Sequence, residues 1–331
     1  MDLLDILRSK IDSLEEGNHI PGLKAVLFHI ETASRNLLRG QKQNEETAFT
    51  ESVYRTNHAF EGSLKEAYRV LAGKDPKRER PYDIEQYFEQ NQVFRQRVLA
   101  QFTNYRTEWR NPSSHDYTLE FDENEAFLAI VSVSAFACLL LDQISERLSY
   151  NRTKIETETK HSDIQTRLAN YQGSILDLTA ELLKEFSFQH WTGRDENPRQ
   201  TEVKIIGALS GFFATVAPNL EVCSEVKLTP NLSTGSRIMG IADLVVSNEQ
   251  EQVLIELKGS KQGYLSGLLQ LEKYMRESNI SCGILYLYPD KSGELDINQH
   301  LLPEINGRIL VLTPREWKIN HKFITSGGTL G

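Results

Sequence analysis

The chain has 331 residues, of which 39% are hydrophobic and 25% charged, the balance of an ordinary globular protein with room for two domains. Ten prolines, twenty glycines and no repeat or low-complexity tract leave little space for long disorder or a solenoid. The formal charge of −9 gives no global attraction for nucleic acid, so any binding of a polyanion must be local.

The start, MDLLDILRSKIDSLEEG, is amphipathic and acidic and lacks the basic end and apolar run of a signal peptide, which points to the cytoplasm. Cys138, Cys223 and Cys282 are few, odd in number and set in apolar runs. That pattern predicts reduced, buried thiols and argues against a disulfide framework or a zinc site.

Helical periodicity then predicts helices from Pro21 to Arg39, Glu46 to Leu71, Asp83 to Glu108 and Glu123 to Arg147, a four-helix bundle. The last contains AFLAIVSVSAFACLLL, which by length and internal serines falls short of a membrane span and reads as a core or dimer helix, so no membrane partner is expected. Between the third and fourth helices lies TEWRNPSSHDY, with Arg110, Asn111 and His115 around Pro112. Proline disfavours helix at the residue before it, so Arg110 and His115 are expected to straddle a helix end and a loop. An arginine can hold a phosphate bidentately and a histidine can shuttle a proton, which together suit attack by an RNA 2′-hydroxyl.

This segment resembles the Rx4-6H motif of HEPN domains, helical bundles of which many are metal-independent RNases. The resemblance implies a HEPN-like fold over residues 1–150, a possible RNase site at Arg110, Asn111 and His115, and a homodimer in which two motifs meet. After Tyr150, a polar stretch precedes a helical pattern carried by Ile164, Leu168, Tyr171, Ile175, Leu178, Leu182, Leu183 and Phe186. Residues 151–190 therefore read as a connecting helix belonging either to the following domain or to a dimer. His161 and His190 read as surface and packing residues.

From residue 191 to 331 the pattern changes to α/β. In RQTEVKIIGALSGFFATVA, Glu202, Ile206, Leu209 and Phe213 recur at helical spacing, placing one acid on an apolar inward stripe, where a charge wants a metal or a partner. IADLVV and VLIELKG read as strands joined by the polar stretch Ser247 to Glu251, a hairpin that brings Asp243 beside Glu256. Strand alternation puts Glu256 and Lys258 on one face and Val253, Ile255 and Leu257 on the other. Converging carboxylates are hard ligands for Mg2+ or Mn2+, and Lys258 can orient water or steady a phosphate. In the next helix, GYLSGLLQLEKYMRES, Gln270 and Tyr274 lie four apart on one face. SCGILYLYP and GRILVLTP complete a sheet. Lys204, Lys227, Arg237, Lys258, Lys261 and Lys273 offer basic groups to a DNA groove.

The order of these elements from Thr201 to Pro314 resembles the PD-(D/E)xK, restriction-endonuclease-like superfamily, in the branch of RecB and lambda exonuclease-like nucleases with a QxxxY motif. Ala242 stands where the superfamily often has proline. The resemblance implies a mixed sheet flanked by helices, metal ligands Glu202, Asp243 and Glu256, a catalytic set completed by Lys258, Gln270 and Tyr274, and Mg2+-dependent hydrolysis of DNA or possibly RNA. The pairing of the two domain types suggests a prokaryotic antiviral defence effector, with a protein partner in that system. Two alternatives stand beside it: a HEPN RNase toxin whose carboxy-terminal domain senses nucleic acid, and a non-enzymatic adaptor sensing nucleic acid or a nucleotide.

Overall fold

A computed structural model describes residues 3–115, 118–159, 173–191, 193, 198–229 and 240–318. The chain divides into two compact units, Met1–Leu148 and Ser149–Gly331.

The first unit is helical. α1 (Leu3–Asp12), which the sequence reading left unassigned, buries Leu7 and Ile11 and pairs Lys10 with Asp142. α2 (Ile20–Gln43) opens on a proline and stops at Asn44, which adopts the left-handed conformation with φ 52° and donates its backbone N–H to Gly40 O. α3 (Thr47–Leu71) packs along α2, and the Ser52 hydroxyl donates to Ala33 O at 2.8 Å across the pair.

The expected third helix is broken. α4 (Pro81–Gln90) is followed by Gln92 at φ 49° and then by α5 (Gln96–Tyr105). Phe94 fills the gap by packing on Phe88, with ring centroids 4.4 Å apart, while Gln143 donates to Val93 O at 2.7 Å and accepts from Arg95 N at 3.4 Å. No glycine or proline marks this break, so periodicity alone ran through it.

A second departure lies at Pro112. The helix does not end there: α5 continues through a π-helical turn, Arg106–Arg110, into α6 (Asn111–His115). The Asn111 N–H reaches back five residues to Arg106 O. A widened turn accommodates a residue that lacks an N–H and crowds the carbonyl four back, so proline persists within the helical run. Arg110 and His115 therefore sit on one continuous helical segment.

α7 (Glu123–Glu158) is much longer than expected. Its apolar stretch is long enough to cross a membrane by length and composition, but half of it is buried. Ala126, Ala129, Ile130, Val133, Phe136, Ala137, Leu140, Leu141 and Ile144 all join the bundle core.

The second unit is a three-layer α/β/α arrangement around a six-stranded mixed sheet, in the order β1-β2-β3-β4-β6-β5. The strands are β1 (Glu221–Leu228), β2 (Gly240–Ser247), β3 (Gln252–Lys258), β4 (Cys282–Leu287), β5 (Leu295–Leu302) and β6 (Gly307–Pro314). β3, β4 and β6 run parallel, and the outer pairs are antiparallel. One face carries Leu244, Val246, Val253, Ile255, Leu257, Ile284 and Tyr286 against α8 (Ile175–Gln189) and α9 (Pro198–Val216). The other carries Leu254, Leu285, Leu287, Ile309 and Val311 against α10 (Gly263–Ser278). The period-two alternation of buried apolar residues on strands covered on both sides generates these two layers.

α8 answers the question left by the connecting segment: Ile175, Leu182, Leu183 and Phe186 are buried in the sheet core, so this helix belongs to the second unit. The expectations for His161, Ile164, Leu168, Tyr171 and Arg237 fall outside the described residues. His190 is buried and packs on Phe212, with ring centroids 5.0 Å apart. The thiols are free but not buried: Cys223 is exposed on edge strand β1, while Cys138 and Cys282 are partly covered. Apolar neighbours in sequence do not bury a residue on an edge strand, where alternate side chains face solvent.

Candidate functional site

The β2–β3 hairpin is set by its turn, in which Asn248 Oδ1 accepts from Gln250 N at 2.9 Å and from Glu251 N at 2.8 Å. Pairing then runs from Ser247↔Gln252 to Leu244↔Ile255 and stops one residue pair short of Asp243 and Glu256. Beyond that point the side chain takes over from the ladder: the Leu257 N–H donates to Asp243 Oδ2 at 2.7 Å.

On the other side of β2, the partners Ser224↔Leu244 and Val226↔Ala242 skip Glu225, which holds φ 50° inside a strand. The sheet thus opens on both sides of Asp243. The register is the same on both sides of this gap, so no residue is inserted: Glu225 stays opposite Asp243 and only the pairing between them is lost.

Glu256 projects from β3 on the α10 side and is 1% exposed. Its Oε1 accepts from Lys258 Nζ at 2.5 Å, whereas Oε2 is buried without a hydrogen-bond partner. Burial pushes the Glu256 carboxyl up, the hydrogen bond and charge of Lys258 pull it down, and Glu202 adds a further push upward. Asp243 is raised to about 7, first by burial and then by the charge of Glu256, against the Leu257 hydrogen bond and Lys258. Burial alone would lower the Lys258 ammonium, but Glu256, Asp243 and Glu202 together hold it above its ordinary value. Lys258 therefore stays protonated at neutral pH and serves as a donor and a fixed positive charge, not as a base.

Glu202 takes part in this field from α9 but is exposed. The stripe behind it behaves as expected, with Ile206, Leu209 and Phe213 buried, yet its first member is exposed in the first turns of the helix. No group of three or more histidine, cysteine, aspartate or glutamate side chains able to hold a metal stands together among the described residues. What is assembled is a two-carboxylate pair with one lysine. That set fits magnesium, which takes one or two carboxylates and completes its octahedron with water and substrate phosphate oxygens. A divalent cation would give the bare Oε2 of Glu256 a partner and would offset the burial and repulsion that raise Asp243.

Gln270 and Tyr274 do meet: Gln270 Nε2 donates to Tyr274 Oη at 3.2 Å. The Tyr274 ring lies on the backbone of Gly240, where a methyl group would stand 2.3 Å from Oη. The pair thus braces the start of β2, three residues before Asp243. Lys261 is committed to Trp317 O at 2.6 Å and Lys318 O at 3.1 Å, so it ties down a turn. Gly240, Gly263, Gly267 and Glu225 escaped the sequence reading, because neither a close approach at a glycine nor a positive φ at a strand residue has a chemistry of its own to signal it.

In the first unit, Arg110 Nη1 donates to Asn111 Oδ1 at 3.0 Å, and Nε stands 3.8 Å from Glu61 Oε1 without a hydrogen bond. Glu85, 3% exposed, is raised by burial and held down by Arg110 and Arg106. Ser113 Oγ donates to Trp109 O at 2.7 Å and accepts from Asn57 Nδ2 at 2.6 Å, fixing the π turn against α3. His115 closes α6, and its side chain falls outside the described residues.

No family model, curated protein or solved structure matches the chain.

Proposed function

We propose that the second unit is a magnesium- or manganese-dependent phosphodiester hydrolase of the PD-(D/E)xK type acting on nucleic acid, with DNA the favoured substrate. The observation that carries this reading is the convergence of a buried carboxylate, Glu256, a part-buried one, Asp243, and a part-buried lysine at the end of one hairpin, with Glu256 Oε2 left bare. Asp243 and Glu256 would hold the cation, with Glu202 contributing through its field or a bridging water. When bound, the ion supplies charge neutralisation and Lewis acidity at the scissile phosphate.

The protein's own groups do the rest. The Leu257 amide fixes the Asp243 carboxylate, leaving one oxygen free. Lys258, held protonated, donates to the attacking water or to a phosphate oxygen and offsets the charge that builds on phosphorus. Gln270 and Tyr274 act as a brace on β2. The helical unit, HEPN-like in this reading, serves for dimerisation or sensing in a cytoplasmic defence effector, since its Arg110 already faces Asn111, Glu61 and Glu85.

Cleavage of labelled double-stranded DNA, single-stranded DNA and RNA, with magnesium or with chelator, tests the assignment. Magnesium-dependent DNA cleavage lost in Glu256→Ala/Lys258→Ala and kept in His115→Ala is the expected result. Chelator-resistant RNA cleavage lost only in His115→Ala would transfer the activity to the helical unit. Tight binding of nucleic acid with no turnover under any condition would make the chain an adaptor.

A further inference from the structure

Lys258 has four rotatable side-chain bonds, so a strand position alone does not fix its ammonium. Its backbone is set by the register Lys258↔Leu287 and by the Tyr288 N–H donating to Lys258 O at 3.1 Å. Its tip is set by Glu256 Oε1 at 2.5 Å. Between backbone and tip the stem runs against α10.

There the helix carries two glycines four residues apart, on one face. A methyl group at Gly267 would stand 2.9 Å from Lys258 Cγ, 3.1 Å from Lys258 Cε and 2.8 Å from Leu285 Cδ1. At Gly263 it would stand 3.2 Å from Lys258 Cβ, 3.3 Å from Cδ and 3.4 Å from Cγ. Neither glycine has a positive φ, so conformational need does not explain them. Gly267 lies inside the helix, where glycine is a poor residue, and the explanation that remains is close approach; Gly263, the first residue of the helix, meets the same side chain less tightly.

We infer that Gly263 and Gly267 form a trough in α10 that holds the Lys258 stem and so places its ammonium on Glu256, making the two glycines positioning residues of the site. This inference rests on reading the site as a hydrolase only where activity is the readout. Alanine at position 267 drives Cγ and Cε of Lys258 outward, and the ammonium loses its station. At position 263 the contacts are looser and the displacement is smaller.

The test uses the full chain and the variants Gly267→Ala, Gly263→Ala, Leu285→Val and Gly267→Ala/Leu285→Val. Valine at 285 removes the methyl that also meets the new Cβ, so the double variant separates a packing clash from a displaced lysine. Gly267→Ala is expected to fold and to lose about 10- to 100-fold in kcat with KM nearly unchanged, as a misplacement of about 1 Å does. The double variant is expected to stay impaired, with Leu285→Val alone close to wild type and Gly263→Ala in between. Full kcat in Gly267→Ala, or its recovery in the double variant, would overturn the inference.

A second readout needs no turnover: acylation of the Lys258 amine by an activated ester, followed by peptide mass spectrometry. It is expected to rise several-fold in Gly267→Ala as the ammonium leaves Glu256. Unchanged labelling overturns the trough even in an active enzyme. A wild-type chain that cleaves nothing overturns the hydrolase reading alone, and the labelling still decides the trough.

Discussion

The two short motifs of this chain, one in each unit, are treated oppositely by their surroundings. At Arg110 opposite charges face each other: Glu61 and Glu85 lie near the guanidinium, Asn111 accepts from it, and a hydrogen-bonded network of Tyr105, Thr56, Asn57 and Ser113 braces the π turn beside it, although Arg110 Nε and Glu85 Oε1 make no hydrogen bond. At Asp243 and Glu256 the protein does the reverse. It gathers a buried and a part-buried carboxylate, pairs one Glu256 oxygen with Lys258 and leaves the other with no partner. Opposite charges that face each other offset their own burial, whereas like charges gathered round a single lysine raise one another.

Activity gives the largest expected separation. Glu256→Ala or Lys258→Ala should lower magnesium-dependent cleavage by about three orders of magnitude, roughly 4 kcal/mol of transition-state stabilisation. His115→Ala should leave it within a small factor. Single-turnover rates on one DNA substrate decide this, and equal losses in all three variants would abolish the contrast between the units.

Next in size is a pH effect. A carboxyl whose folded value is near 7 and whose ordinary value is 3.8 binds more protons in the folded protein between those limits. Its stabilising contribution is therefore complete below about pH 4 and lost as pH rises through about 7, a change of up to about 4 kcal/mol shared with Glu256. In chelator, Asp243→Asn should gain stability relative to wild type between pH 5 and pH 7.5, and saturating magnesium should reverse that gain. Urea unfolding at the two pH values measures it; parallel behaviour of the two proteins would mean that burial and Glu256 do not raise the Asp243 carboxyl.

How much of this was readable in sequence follows from what each residue's signal depends on. Alternation along VLIELKG placed Glu256 and Lys258 on one face, and the polar turn placed Asp243 next to Glu256, because strand period and hairpin chemistry are local. The exposure of Glu202 was not readable, since helical spacing gives a face but not how far the neighbouring layer extends along it. The break between Gln90 and Gln96 carries no proline or glycine, and its cause, Gln143, lies some fifty residues away in sequence. Pro112 gave a strong local signal that was overridden by tertiary contacts from α3, through Asn57 and Ser113.

The first unit's facing opposite charges predict a stability effect with little consequence for the other unit. Arg110→Ala should destabilise the helical unit by about 1–3 kcal/mol, because Glu85 is buried and would lose one of its two compensating cations. Magnesium-dependent cleavage per folded molecule should be unchanged. Thermal melting and active-site titration together measure both halves, and loss of cleavage without loss of stability would mean that Arg110 serves the reaction.

The smallest effect tests whether the opened sheet around Asp243 is a strained feature. Glu225 holds φ 50° within β1, at the position that would face Asp243 in the ladder. A non-glycine residue in that region costs about 1–2 kcal/mol, and glycine gives back part of the gain through the freedom it restores to the unfolded chain. Glu225→Gly should therefore stabilise by about 0.5–1 kcal/mol. Alanine at 225 removes the carboxylate but keeps the strain, so it should not stabilise. If glycine and alanine behave alike in equilibrium unfolding, the carboxylate matters and the backbone does not. If glycine stabilises but slows cleavage where alanine does not, the strained backbone at Glu225 is what holds Asp243 open towards Glu256.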